Sequence, residues 1–290
     1  MRFRLGGRGR SLNVVRIKRN VVAVASALTV FGGSFAGMPA QIAFAPILTW
    51  MLGTAEARSA ATSLRAAVAG GSTFVCFALV ASSWRHQPAG MHAGALAVLA
   101  GIATLFVSAT AGAAAAGPAA AIPALARLKR SWYSVGMGIG LVVLLQVTHT
   151  PAADQAATRW PTLLQLLVSG VVAGAASRLS NLATPVWLYP LLLWYGHAPV
   201  SVVVVLCVGA VSAAAILPSA WQGRHGILDP HYTTPAMVGA LVGGGAAGWL
   251  LQLAPPRMVT IWFCLVVMFL YGRELALFSP EPPGTRVDSN

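Results

Sequence analysis

The chain reads as an all-α polytopic membrane protein built from two repeats, and three observations predict it. Apolar residues make up 57% of the 290 positions and charged residues only 9%, against about 25% charged in an average soluble domain. The charges are also confined: positions 66–84, 93–126, 131–148, 160–177, 179–196, 198–223 and 232–256 contain no Asp, Glu, Lys or Arg. These runs meet or approach the roughly 20 apolar residues a membrane-spanning helix needs. No segment alternates at period two over the length of a barrel strand, so helices remain as the way to satisfy every backbone group in lipid. Finally, one interrupted apolar pattern occurs twice. Gly33-Ser34-Phe35-Ala36-Gly37-Met38-Pro39 precedes Pro46-Ile47-Leu48-Thr49-Trp50, and Ser177-Arg178-Leu179-Ser180-Asn181-Leu182-Ala183-Thr184-Pro185 precedes Pro190-Leu191-Leu192-Leu193-Trp194. Pro46 and Pro190, like Trp50 and Trp194, stand 144 positions apart. Paired interruptions in two halves of a membrane chain point to a transporter's binding site.

From the N-terminus, residues 1–20 carry Arg2, Arg4, Arg8, Arg10, Arg16, Lys18 and Arg19 and no acid. With the apolar run at 21–36 and small residues at 36–40, this has the outline of a cleaved signal peptide. Cleavage there would cut through the interruption that the second half repeats, so the arm is read as a cytoplasmic anchor under the positive-inside rule. It should also attract anionic lipid, at about 1 kcal/mol per cation near the surface. This arm, with Arg127, Lys129 and Arg130, holds most of the net charge of +13, and a nucleic-acid partner is not expected. The first transmembrane repeat then covers 21–149, a linker loop 150–160, the second repeat 161–277 and a polar tail 278–290.

Each repeat contains a broken stretch (21–52 and 161–194) followed by three helices. The spacing predicts helices over 60–82, 93–117 and 131–148, then over 199–217, 233–253 and 256–271. Pro161, Pro199, Pro235 and Pro256 lie at or near helix starts, where the missing N–H costs nothing. Gly239, Gly243, Gly244, Gly245 and Gly248 form a small-residue face that permits close helix approach. Charge placement discriminates between two topologies. If each broken stretch crosses once, there are eight crossings and Arg127-Leu128-Lys129-Arg130 falls outside. If each turns back as a hairpin, each repeat has five elements and the two are inverted. Arg58, the Arg127–Arg130 cluster, Arg224 and Arg273 then all join the N-terminus in the cytoplasm, with Arg85, Arg159 and Arg257 outside. The hairpin topology fits the positive-inside rule better.

Candidate binding residues cluster at the interruptions. Arg178 sits within the second, and Arg65 follows Thr62-Ser63-Leu64 near the start of the next helix of the first repeat. A charge at the centre of a membrane helix costs about 2.5–3.5 kcal/mol on insertion scales, so such residues face the interior or a wet cavity. A guanidinium fork suits sulfonate, sulfite or carboxylate oxygens. Helix starts after Pro39 and Pro185 would add positive dipole ends. The expected anion site therefore draws on Arg65, Arg178, Asn181, Ser180, Gly37, Ser34, Gln41, Thr62 and Ser63, between the two interruptions. Each has a structural alternative. Arg65 can snorkel to the interface; Arg178 can mark a cytoplasmic helix end; Asn181, Ser180, Ser34 and Gln41 can cap broken backbone; Thr62 and Ser63 can cap a helix start. Trp50 and Trp194 read as interface anchors.

Other chemistry is thin. Cys76, Cys207 and Cys264 all lie in apolar runs, and without a CxxC or Cys/His cluster they imply neither a disulfide framework nor a metal. Glu56, Asp154, Asp229, Glu274, Glu281 and Asp288 fall in loops, at helix ends or in the tail. No carboxylate stands at mid-membrane to carry a proton or sodium, and no acid/base or metal constellation suggests an enzyme. No cofactor is expected; the partners are a small anionic solute and the bilayer, and the oligomeric state is open.

The motifs resemble the TauE/SafE family of sulfite and sulfonate exporters, also called the 4-toluene sulfonate uptake permease family. The residues that carry the resemblance are Gly33 to Gly37, Pro46-Ile47-Leu48, Gly53 and Thr62-Ser63-Leu64, then Pro190-Leu191-Leu192 and Gly196, a loop bearing Gly223, a glycine-rich helix and the Pro255-Pro256 turn. It spans 21–275. It implies a permease of a bacterial inner membrane that moves sulfite, a sulfonate or a related organosulfur or carboxylate anion by alternating access around two broken helices. The chain departs from the family where consecutive glycines are usual: Ser34-Phe35-Ala36, Met38-Pro39 and Ser177-Arg178-Leu179-Ser180-Asn181 stand there instead. The eroded glycines keep a second reading open, a non-transporting membrane subunit or assembly factor with a degenerate transporter fold.

Overall fold

A computed structural model of the chain describes residues 7–38, 95–122, 129–149, 160–180, 182–224 and 230–277. The first repeat's turn-back, the helix expected over 60–82, the tail, Pro46, Trp50, Cys76 and Asn181 lie outside the described residues. Among the described residues all regular structure is helical: α1 (Gly7–Ala36), α2 (Ala95–Ala115), α3 (Gly117–Ala120), α4 (Lys129–His149), α5 (Leu163–Ser180), α6 (Thr184–Trp194), α7 (Val200–Arg224), α8 (Pro230–Leu253) and α9 (Pro256–Leu277). Four contain stretches long and apolar enough to cross a membrane, Lys18–Ala36, Leu96–Ala115, Leu163–Ser180 and Tyr232–Leu251. Shorter apolar stretches lie in α4, α7 and α9. Many large apolar side chains on these helices face outward, Leu96, Val242, Trp249 and Phe269 among them; contiguous exposed apolar surface is what a lipid-facing wall requires.

α1 runs unbroken from Gly7 through Gly32 and Gly33 to Ala36, so the first interruption begins later than its glycines suggest. It begins at Gly37, whose φ of +69° is a conformation glycine adopts without steric penalty. The Met38 amide donates to Gly33 O (2.8 Å) and the Gly37 amide to Ser34 O (3.2 Å). That pair of bonds satisfies the last carbonyls of α1 in a Schellman motif.

The second broken stretch turns back on itself. α5 opens with a capping box in which the Thr162 amide donates to Gln165 Oε1 (2.9 Å) and the Gln165 amide to Thr162 Oγ1 (3.3 Å). α5 ends at Ser180, and α6 starts after Ala183, whose extended backbone (φ −62°, ψ 138°) precedes Pro185 in the first turn. Thr184 and Trp187 bond back to Ser177 and Ser180, while Gln165 Nε2 near the start of α5 donates to Tyr195 O at the end of α6 (2.9 Å). Both ends of the two helices are thus tied, and α5–α6 is an antiparallel helical hairpin.

Three helix pairs dominate the packing: α1 with α8, α2 with α5, and α4 with α9. Small residues set their register. A Cβ on Gly239 or Gly243 of α8 would overlap the backbone of Ala23 or Ala27 respectively, so α1 and α8 run parallel. A Cβ on Gly170 would overlap Ser108, and one on Gly174 would overlap Ala109, so α2 and α5 also run parallel. Gly136 packs on Tyr271 whereas Gly140 packs on Val267 and Met268, so α4 and α9 are antiparallel. Gly239 and Gly243 thereby serve close backbone approach, as small-xxx-small spacing does in lipid; Gly245, from the same glycine run, meets nothing.

Candidate functional site

At the second interruption the backbone is held by side chains. Ser180 Oγ donates to Ala176 O (2.5 Å) and accepts from the Leu182 amide (3.2 Å) and Trp187 Nε1 (3.1 Å). Ser177 Oγ donates to Leu182 O (2.7 Å), and Thr184 Oγ1 lies 3.2 Å from Ser177 Oγ. Ala183, at the cap position of α6, has no side chain able to accept from the helix's first amides. Its own amide donates instead to the Tyr271 hydroxyl from α9 (2.9 Å), and Tyr271 is stacked on Tyr133 of α4 (centroids 5.8 Å, 24°).

A cavity of about 590 Å³ adjoins this turn, walled by α2, α4, α5, α6, α7 and α9. Its size falls within the roughly 300–1,000 Å³ of small-molecule sites. Small residues make the space, among them Ala109, Ala113, Gly174, Ala210 and Ala214. The polar groups on its wall are Thr110, Tyr133, Ser177, Thr184, Tyr271 and Arg178, and Arg178 is the single formal charge among the described residues that line it. No carboxylate is among the described residues that line it. Arg178 stands in the last turn of α5 and is exposed.

The described start of the first interruption is buried. Ser34 and Gly37 are buried. A Cβ on Gly37 would stand 3.3 Å from Tyr189 Cδ2 and 3.5 Å from Val204 Cα. Tyr189 is fully buried, stacked on Phe263 (centroids 3.9 Å, 8°), with its hydroxyl 3.2 Å from Thr260 Oγ1. Trp262 Nε1 donates to Gly32 O (3.0 Å) and meets Phe35 edge-on. α9 serves as a ruler: the last turns of α1 meet it at Trp262 and the second interruption at Tyr271. At 1.5 Å rise per residue the two contacts are staggered by about 13–14 Å along that axis.

Of the residues expected at an anion site, Arg178 lines the cavity. Ser180 stands two positions from the lining residues Arg178 and Leu182 and is committed to the turn and to Trp187 Nε1. Gly37 lies beneath Tyr189 at the other interruption, and Ser34 is buried in the last turn of α1. Arg65, Gln41, Thr62, Ser63 and Asn181 lie outside the described residues. Tyr133 and Tyr271 escaped the sequence reading because nothing local marks them: Tyr271 reaches Ala183 across 88 positions. Ser177 and Thr184 were visible as members of the interrupted motif. Among the described residues no three His, Cys, Asp or Glu gather where they could hold a metal ion. No protein-family model, curated protein or solved structure matches the chain.

Proposed function

We propose that the chain is a secondary transporter for a small anion, a divergent relative of the TauE/SafE permeases in a bacterial inner membrane, with its N-terminal arm in the cytoplasm. The observation that carries this reading is the cavity at the second interruption, with one guanidinium and no carboxylate on its described wall. The start of α6, which reaches the cavity through Ala183 and Thr184, adds the positive end of a helix dipole. Sulfite, a sulfonate or a carboxylate would each satisfy a guanidinium fork.

The repeats are read as inverted, and helix direction supports this. If α1, α2 and α4 correspond to α5, α8 and α9, exchanging the halves turns the α1–α8 pair into the α5–α2 pair. Both are parallel. The α4–α9 pair maps onto itself, and it is antiparallel. An axis along the membrane normal would leave α4 and α9 parallel, whereas an axis in the membrane plane reverses one against the other. The α5–α6 hairpin supports five elements per half, which brings Arg127–Arg130, Arg224 and Arg273 to the side of the basic arm.

One observation favours the alternative of a non-transporting subunit: the hydroxyls of Ser177 and Ser180 already serve the turn itself. Reconstitution separates the two. Purified protein in liposomes should take up labelled anion, and the transported anion should raise its melting temperature, since a ligand that binds only the folded state stabilises by RT ln(1 + [L]/Kd). Sulfite, sulfoacetate, taurine, thiosulfate and small carboxylates make the panel. Folded protein that neither takes up nor is stabilised by any of them would leave the subunit reading in place.

A further inference from the structure

We propose that Arg178 locks the empty protein with its cavity open on one face, and that a bound anion releases the lock so that a matching cavity, now shut, opens on the other; the inference rests on the transport reading and its inverted repeats. Contacts between the described helices recur in exchanged form. A Cβ on Gly112 of α2 would overlap Val171 O of α5, and one on Gly243 of α8 would overlap Ala27 O of α1. Ser26 Oγ donates to Ala236 O (2.7 Å), and a Cβ on Gly170 would stand 3.2 Å from Leu105 O. A Cβ on Gly136 would stand 3.2 Å from Tyr271, and one on Gly140 3.3 Å from Val267. Two offsets turn each contact into its partner: 144 positions from α1 to α5, the spacing of the interrupted motifs, and 131 from α2 to α8 and from α4 to α9. Backbone chemistry follows the same offsets. The Ala183 amide donates to the Tyr271 hydroxyl, whereas the corresponding residues are Pro39, which has no amide hydrogen, and Gly140, which has no hydroxyl.

The same offsets carry the cavity onto a second wall. Gly174, Arg178, Leu182, Ala109, Ala113 and Tyr133 line the cavity. Their counterparts are Val30, Ser34, Met38, Ala240, Gly244 and Cys264, and all of these are buried. Among the described counterparts only Met237 and Leu241, which match Phe106 and Thr110, are exposed. In an inverted pair of repeats, exchanging the conformations of the halves opens the shut wall and closes the open one. The charge does not exchange evenly. Arg178 is exposed, but Ser34, whose place it would take, is 2% exposed. A guanidinium is costly to bury in a membrane protein unless it is paired. The empty protein therefore resists the exchange, and an anion on the guanidinium removes the resistance. Such an anion binds more tightly to the conformation that buries Arg178, which is the differential affinity a ligand-driven change requires.

Thiol access reads the lock. The full-length chain is treated with a membrane-impermeant methanethiosulfonate in right-side-out and in inside-out vesicles, and label on each cysteine is read by peptide mapping. Native Cys264 reports on the shut wall, and Ala214→Cys reports on the open cavity, where Ala214 is exposed. Without anion, Ala214→Cys should react from one face and Cys264 should stay at background from both. Arg178→Ser, which installs the counterpart's side chain, should raise Cys264 labelling about 10- to 100-fold from the opposite face only, as the insertion cost of one guanidinium implies. Arg178→Lys keeps the charge and should stay near the parent. Background labelling in Arg178→Ser, or an equal rise from both faces as in a loosened core, would overturn the lock. Sulfoacetate, which is inert to the reagent, should raise Cys264 labelling of the parent from that opposite face in vesicles that take it up. Uptake of sulfoacetate with Cys264 still at background would also overturn the lock, and would leave the transport reading intact. A one-sided rise in Arg178→Ser without uptake of any anion of the panel removes the transport reading and keeps the lock.

Discussion

Arg178 and Tyr271 both serve the second interruption, and their substitutions should fail in different ways. Arg178 is exposed in the cavity, so Arg178→Ala should leave the melting temperature nearly unchanged, as surface substitutions do. The same change should weaken anion affinity about 10- to 100-fold, the worth of a hydrogen bond to a charged group. Arg178→Lys should fall between, because an ammonium keeps the charge and loses the planar fork. Titration of the thermal shift with the transported anion measures both. Tyr271→Phe acts on the fold: it removes the acceptor of the partly buried Ala183 amide, and losing such a hydrogen bond costs about 0.5–1.5 kcal/mol. That should appear as a lower melting temperature in the absence of any solute. The first residue was legible in the sequence because an arginine inside an apolar run has few reasons to be there. The second was not, since a tyrosine in a terminal helix says nothing about an amide 88 positions earlier.

Helix ends and helix contacts depend on glycines in opposite senses, and only part of this could be read ahead. Gly32 and Gly33 lie within α1 although glycine disfavours helix by about 1 kcal/mol. In lipid an unpaired backbone group costs several kcal/mol, so the helix continues until Gly37 supplies a left-handed residue and closes it. On the other side, the residues from Gly7 onward, free of proline, carry α1 back into the basic arm. The glycine run of α8 was legible as a packing face, but which members pack was not, because the partner α1 lies more than 200 positions away. Gly243→Ala should therefore destabilise, its Cβ overlapping the Ala27 carbonyl. Gly245→Ala, with nothing within 4 Å, should be neutral or gain about 0.5–1 kcal/mol from helix propensity. Melting of the two variants side by side in one detergent checks the pair; equal effects would mean that α8 does not press on α1 through this face.

Across the molecule the all-helical class, with four helices long and apolar enough to cross a membrane, was legible in the charge-free runs. The pairing of helices was not, because apolar faces in lipid are chemically alike and partner choice rests on where small residues happen to meet. The directions of α4 and α9 carry the proposed inversion, and α4 begins beside the basic cluster whose side of the membrane tests it. Ser131, exposed at the start of α4, is the place to test it. In a chain whose native cysteines are replaced, Ser131→Cys should react with an impermeant thiol reagent in inside-out vesicles and stay protected in right-side-out ones. Labelling from the outside would put the Arg127–Arg130 cluster outside as well and require a single crossing of the first broken stretch. The second stretch makes no such crossing, because Gln165 Nε2 at the start of α5 donates to Tyr195 O at the end of α6 and the two helices run back along each other. If the first stretch turns back in the same way, repeat symmetry and the positive-inside rule both place Ser131 in the cytoplasm.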